Sequence, residues 1–291
     1  MISGSVGLSL IKDHNISITI RYEIFLPSFP ITVIGRPCVL LSLVNCLFVG
    51  STPSWKPEPR IIGGSDSDIK SFPYQVSVQT NGVHRCGGVI YNRYIIITAA
   101  HCLFDAPDDI RIRAGSSEWQ SGGVVIKVRN YEIHNGYSSQ TIVNDIALLR
   151  LSSPLRFSSK IQPIKLATAV PDDNAAAIVS GWGITSEGAL DIPDQLKSVE
   201  VAIISRSNCA SSTYSYGSSI KPSMICAAGA EKSACQRDSG GPLVSDGLLV
   251  GIVSWSEGCA DPKYPGVYVD VAELHLWIIQ TSHLLTSPKP L

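Results

Sequence analysis

Short apolar runs separated by Gly, Pro, Asn and Ser dominate the chain from residue 61 onward. The stretches YQVSVQT (74–80), GVIYNRYIIITAA (88–100), GVVIKVRNYEI (123–133), DIALLRL (145–151), AAIVSGWG (176–183) and LLVGIVSW (248–255) are rich in Val, Ile and aromatic residues. Branched and aromatic side chains fit a half-buried pleated surface, so each run predicts a strand. Many spaced strands with few helical patterns point to an all-β barrel or sandwich. A helix is predicted only near the end, over DVAELHLWIIQ (270–280). Asp270 is placed to cap it, Glu273 stands three residues on, and Val271, Leu274 and Ile278 fall on one face. No internal repeat and no low-complexity stretch interrupts 61–282.

The leading residues have a different character. CVLLSLVNCLFVG (38–50) is an apolar run preceded by Arg36, with the length of a signal-peptide core and short for a membrane span. Two readings stay open: a signal peptide with a long leading region, or an anchor reaching back to Ile31. The polar, proline-rich STPSWKPEPR (51–60) reads as an exposed linker that ends in Arg60, directly before IIGG. The expected organisation is therefore 1–50 signal or anchor, 51–60 propeptide, 61–282 folded domain and 283–291 tail.

Composition narrows the class. A 291-residue chain with 44% hydrophobic and 16% charged residues can bury a large core, and its net charge of −1 gives no electrostatic pull toward nucleic acid or anionic membrane. Of the eight cysteines, Cys38 and Cys46 lie in the leader, which leaves six. No CxxC pair or Cys/His ligand cluster appears, so disulfides and an oxidising compartment are expected, with no metal. A calcium site would need several carboxylates in one loop, and SSEWQSGG offers only Glu118. The sequon NIS at 15–17 precedes the apolar run and is expected to be removed.

Three stretches carry chemistry: TAAHC (98–102), NDIALLRL (144–151) and CQRDSGGPL (235–243). They supply His101, Asp145 and Ser239. A serine hydroxyl is a weak nucleophile until a base takes its proton, and the imidazole needs a carboxylate to set its tautomer. Taken singly, each residue is more commonly a core histidine, a turn aspartate or a loop serine. Together, with cysteines beside the His and the Ser, they point to acyl transfer. His84, His134, His275 and His283 have no partner in such a stretch and read as surface or structural.

IIGG, TAAHC, DIALL, SGWG, CQRDSGGPL and SWSEGCA…YPGVY, in that order over 61–282, resemble the trypsin/chymotrypsin family of serine endopeptidases. RAGSSEWQSGG and CASSTYSYGS resemble insect digestive trypsins. The resemblance implies two six-stranded antiparallel barrels with a C-terminal helix, an active site in the cleft between them, and no cofactor. It implies the pairs Cys86–Cys102, Cys209–Cys226 and Cys235–Cys259. It also implies that cleavage after Arg60 frees an ammonium on Ile61 that pairs with Asp238, and that the N–H groups of Arg237 and Ser239 form the oxyanion hole.

Two positions depart from the family. Arg237 stands where Gly is usual; the expectation is that its N–H persists while the side chain projects over the leaving-group side, hindering rigid protein inhibitors more than flexible peptides. The alternatives are a side chain turned to solvent and a collapsed hole. Ser233 replaces the aspartate that meets a substrate Lys or Arg, so the pocket is expected to be neutral and to favour apolar residues. By resemblance Ser254, Ser256 and Gly266 also belong to that pocket. A Ser233 pocket should cut poorly after Arg60, so an activating trypsin-like protease is an expected partner beside protein or peptide substrates. The expected function is a secreted, monomeric, cleavage-activated serine endopeptidase. The rivals are a catalytically impaired binding or regulatory homologue, and a protease tethered through 31–49.

Overall fold

In the strand Lys197–Ile204, Val199, Val201 and Ile203 are buried while Glu200 is exposed, the alternation of a sheet with one covered face. Ile95, Ile96 and Ile97 are all buried, because their strand is covered on both faces. The computed structural model describes residues 64–104, 109–184, 188–189, 191–229 and 233–287. The chain divides into residues 1–54 and 55–291, and every described residue lies in the second unit. The leader, Arg60 and Ile61 fall outside the described residues.

Short β1 (Ser65–Asp66) precedes β2 (Gln75–Thr80), β3 (Val83–Ile90), β4 (Ile95–Thr98), β5 (Ile110–Ala114), β6 (Val124–Ile133) and β7 (Ala147–Leu151). The last six close a barrel in the order β2-β3-β4-β7-β6-β5, every pair antiparallel. Next come β8 (Lys165–Leu166), β9 (Ala176–Gly181), β10 (Lys197–Ile204), β11 (Met224–Ala228), β12 (Pro242–Ser245), β13 (Leu248–Trp255) and β14 (Gly266–Asp270). The pairings β9-β10-β11-β14-β13-β12 return to β9 and close a second six-stranded antiparallel barrel. β1 pairs with β10 and β8 runs parallel to β13 at its margins. The all-β reading and the two barrels therefore hold.

One core cluster fills the first barrel with Val76, Ile97, Ile112, Leu148 and their neighbours; another fills the second around Val179, Val201, Ile225, Leu243 and Tyr268. The run 88–100 is two strands rather than one, with a turn at Tyr91–Tyr94 held by the Asn92 side chain, which accepts from the N–H groups of Tyr94 and Ile95. The final helix also departs from expectation: α1 (Arg206–Cys209) is a single turn, and α2 spans His275–Thr286, starting later than residue 270. Asp270 does cap, but it caps the preceding turn, accepting from Ala272 N and Glu273 N at 3.0 and 3.2 Å. Val271, Leu274 and Ile278 are buried against the first barrel, so the apolar face was read correctly even though regular helix begins later. α2 runs on past residue 282, and the Leu285 carbonyl accepts from Arg150.

Candidate active site

β4 pairs with β7 so that Thr98 lies opposite Ala147. The residues just beyond that pair, His101 in the turn Ala100–Cys102 and Asp145 ahead of β7, therefore meet. Asp145 Oδ1 accepts from the His101 backbone N–H at 2.8 Å and Oδ2 lies 2.7 Å from His101 Nδ1. Ser254, on β13 of the second barrel, donates to the same Oδ2 at 2.6 Å. The carboxylate is buried while the imidazole side chain is 29% exposed. Oδ2 can only accept, so Nδ1 carries a proton and Nε2, 3.9 Å from the Cys102 sulfur, is left as the nitrogen with a free lone pair. The Cys86–Cys102 bridge ties this turn to β3, and Cys209–Cys226 and Cys235–Cys259 are the other two disulfides. Cys86, Cys102 and His101 cluster within 4.8 Å, but both sulfurs are spent in the bridge, which leaves no thiolate for a metal.

Ser239 sits on the turn between Asp238 and β12. Its carbonyl accepts from Gly87 N at 2.8 Å, and the next residue, Gly240, donates to Val253 O at 2.8 Å. Gly240 has φ +80°, and a Cβ there would lie 2.2 Å from Thr98 Oγ1, so the turn can touch both barrels only with glycine. Ser239 lines two hollows at once. One, of about 370 Å³, is shared with His101 and Arg237; the other, of about 260 Å³, is lined by Ser254, Ser256 and Gly266 among others. Among the described residues the Ser239 hydroxyl makes no hydrogen bond.

The backbone N–H groups of Arg237 and Ser239 make no hydrogen bond among the described residues, whereas those of Asp238, Gly240 and Gly241 are all engaged. Their directions are fixed indirectly. The Gln236 carbonyl accepts from Ile184 N at 2.8 Å and the Asp238 carbonyl from Gly241 N at 2.9 Å. In a trans peptide the N–H points opposite to its carbonyl, so both N–H groups are turned away from those anchors. Arg237 has φ 78°, the left-handed region, and as a non-glycine residue carries about 1–3 kcal/mol of backbone strain there. Its carbonyl lies 3.0 Å from His84 Nε2, while His84 Nδ1 lies 2.8 Å from Ser77 Oγ. Nε2 therefore bears the proton and Nδ1 accepts from the serine. Sequence reading left His84 without a partner. It is buried against the turn that carries Arg237 and Ser239, and burial lowers its pKa to about 4. Only its position two residues before Cys86 hinted at this.

Asp238 is fully buried; Oδ1 accepts from Gly183 N at 2.7 Å and Oδ2 from Cys235 N at 3.0 Å. A Cβ on Gly183 would lie 2.3 Å from Asp238 Oδ2, which explains a glycine in SGWG. Burial raises the Asp238 pKa to about 6, against the pull of the two N–H donors. Among the described residues no cation pairs with it.

The 260 Å³ hollow is lined by Ala234, Gln236, Trp255, Tyr268 and the three residues named above, among others, and none of its described lining residues is charged. Ser233 is buried beside it rather than lining it. Its hydroxyl donates to Ala234 O and accepts from Ala260 N, both at 2.8 Å. Ser254 is shared between the hollow and Asp145, and the Ser256 hydroxyl donates to Gly258 O at 2.7 Å. Glu257 and Asp261 do not line this hollow.

A family model described as trypsin matches residues 61–278. The chain belongs to the trypsin family. It is 54% identical over 248 residues to trypsin delta of Drosophila erecta, covering 84% of this chain and 98% of that protein. Trypsin alpha of Drosophila melanogaster is likewise 54% identical, over 249 residues, with 84% and 97% covered. Trypsin alpha-4 of Lucilia cuprina is 52% identical over 248 residues, with the same 84% and 97%. Among solved structures, neuropsin, a serine protease expressed in the limbic system of mouse brain, superposes with a TM-score of 0.69 at 32% identity, covering 75% of this chain and 98% of that one. This trypsin-family chain is a serine endopeptidase, and protein substrates follow from that. Among the described residues no helix is long and apolar enough to cross a membrane.

Proposed function

We propose that this trypsin-family endopeptidase is secreted, is activated by cleavage after Arg60, and cuts after apolar residues through His101, Asp145 and Ser239. The observation that carries the reading is the buried Asp145 holding His101 by two contacts beside the hollow that Ser239 shares. His101 Nε2 takes the Ser239 proton as Oγ attacks the scissile carbonyl, and Asp145 stabilises the imidazolium. The developing oxyanion accepts hydrogen bonds from the N–H groups of Arg237 and Ser239; removing one such donor costs about 2.7–4 kcal/mol of barrier. His101 then returns the proton to the leaving amine, and water, deprotonated in turn by His101, releases the acyl group from Ser239.

Activation follows from the cost of a buried, unpaired carboxylate. The ammonium freed on Ile61 pairs with Asp238, whose burial and lack of a described cation partner support that assignment. The uncharged lining of the 260 Å³ hollow supports apolar specificity, because a cationic side chain entering it would lose its water without a counter-charge. Cleavage after Arg60 then depends on a second, trypsin-like protease. The enzyme works as a monomer without cofactor, and the Arg237 side chain weakens protein inhibitors. The backbone strain at Arg237 favours one rival, a binding homologue with an impaired hole. The test is kcat/KM on peptides varied at the residue before the cut, after cleavage at Arg60 by an added trypsin that is then removed. Turnover after Leu, Met, Phe or Tyr is expected. Turnover after Arg or Lys refutes the specificity, and no turnover with Ile61 as the new terminus leaves the binding homologue.

A further inference from the structure

The two hollows that meet at Ser239 differ in charge. The 260 Å³ hollow has no charged residue in its described lining, whereas the described lining of the 370 Å³ hollow includes Arg85 and Arg237 and no acidic residue. Arg85 is braced against the main chain, Nε donating to Cys102 O at 2.7 Å and Nη2 to Phe104 O at 3.0 Å. Arg237 is braced likewise, Nη1 donating to His84 O at 3.1 Å. Neither makes an ion pair among the described residues. Both are held in place, and among the described residues both keep N–H donors without a partner. A guanidinium fork so held matches a carboxylate in shape as well as sign.

On the proposed function, which seats the acyl-side residue in the uncharged 260 Å³ hollow, the leaving-group residues run on past Ser239 along the other. We infer that Arg237 and Arg85 form a carboxylate-binding subsite on the leaving-group side, selecting substrates with Asp or Glu in the first two positions after the cut. This inference rests on the proposed function, since it takes Ser239 as the attacking residue. Arg237 then has a second role: its N–H faces the oxyanion while its side chain reads the departing peptide.

The test is a series of internally quenched peptides with one acyl half ending in Leu, and Asp, Glu, Ala or Lys in turn at each of the first two leaving-group positions. A Leu p-nitroanilide, which has no leaving-group residues, is run in parallel. The expected kcat/KM for an acidic residue exceeds that for Ala by about 5-fold, with Lys below Ala by a similar factor, as befits partly exposed charge pairs. The acid-to-Lys ratio should fall toward unity in Arg237→Gly and partly in Arg85→Gln. It should also shrink in about 1 M salt, where the screening length is about 3 Å. The readout is a ratio within each protein, so a change in overall activity does not mimic the effect. A flat series with the p-nitroanilide still cleaved overturns the subsite and leaves the protease reading intact, as does a preference that survives in both variants. Failure to cleave the peptides and the p-nitroanilide alike refutes the proposed function, and the subsite falls with it.

Discussion

Two buried groups at the Ser239 turn respond to acid in opposite directions, and separating them is a quantitative test of the site. Burial lowers the His84 pKa from 6.5 to about 4. A depressed histidine contributes stability that is complete above 6.5 and is lost as pH falls toward 4, because the unfolded chain binds the proton first. Asp238 has the reverse sign: burial raises it from 3.8 to about 6, so its contribution is complete below 3.8 and is lost as pH rises through 6. Each shift spans a little over two pKa units, or about 3 kcal/mol at 1.36 kcal/mol per unit. In the uncleaved chain the two nearly cancel across the shared window. The assay is urea unfolding of uncleaved Ser239→Ala protein, which cannot digest itself, from about pH 4 to neutral pH. Adding Asp238→Asn should gain about 3 kcal/mol at neutral pH and almost nothing near pH 4. Adding His84→Gln, which retains an N–H for the Arg237 carbonyl, should give a chain that gains stability on acidification relative to its parent. The reasoning is refuted if the Asp238→Asn gain is the same at both ends of the range.

The strain at Arg237 separates glycine from alanine. Arg237→Gly should be more stable than Arg237→Ala by about 1 kcal/mol, the left-handed penalty less the extra freedom of unfolded glycine, which calorimetry would read as about 2–4 °C in Tm. Equal melting temperatures would mean that the backbone at φ 78° is unstrained. Ser254→Ala removes a hydrogen bond of 2.6 Å to a buried carboxylate and should cost about 1.5–3 kcal/mol in denaturant unfolding, with lower kcat/KM and little change in KM. Uncleaved protein seeded with a trace of mature enzyme should show no acceleration of Arg60 cleavage on a gel time course. Maturation at a rate first order in active enzyme would remove the need for a separate activator.

Much of the architecture was legible because β strands announce themselves by composition. LLVGIVSW coincides with β13, and DIALLRL contains β7. β6 was placed correctly although only Val128 is buried in it, since branched residues mark a strand even on an exposed face. Shorter elements escaped. β12, of four residues, begins at the end of the CQRDSGGPL stretch, where turn chemistry masks periodicity. The helix start was misplaced because Asp270 caps a turn as readily as a helix. His101, Asp145 and Ser239 could be singled out from local patterns, but their joint geometry depends on the β4–β7 register and on Ser254 reaching across from the other barrel. The contact of His84 with the Arg237 carbonyl spans 153 residues and belongs to no local pattern. Nor could the number of charges in each hollow be counted before the chain was folded.

The central claim is that Ser239 becomes a nucleophile when the chain is cut after Arg60. The direct measurement is a fluorophosphonate probe applied before and after that cut, with the adduct located by peptide mass spectrometry. The account predicts rapid labelling of Ser239 only in the cleaved protein, lost in His101→Ala. Equal labelling before cleavage would contradict the activation mechanism, and no labelling after it, with Ile61 confirmed as the terminus, would contradict the catalytic role of Ser239.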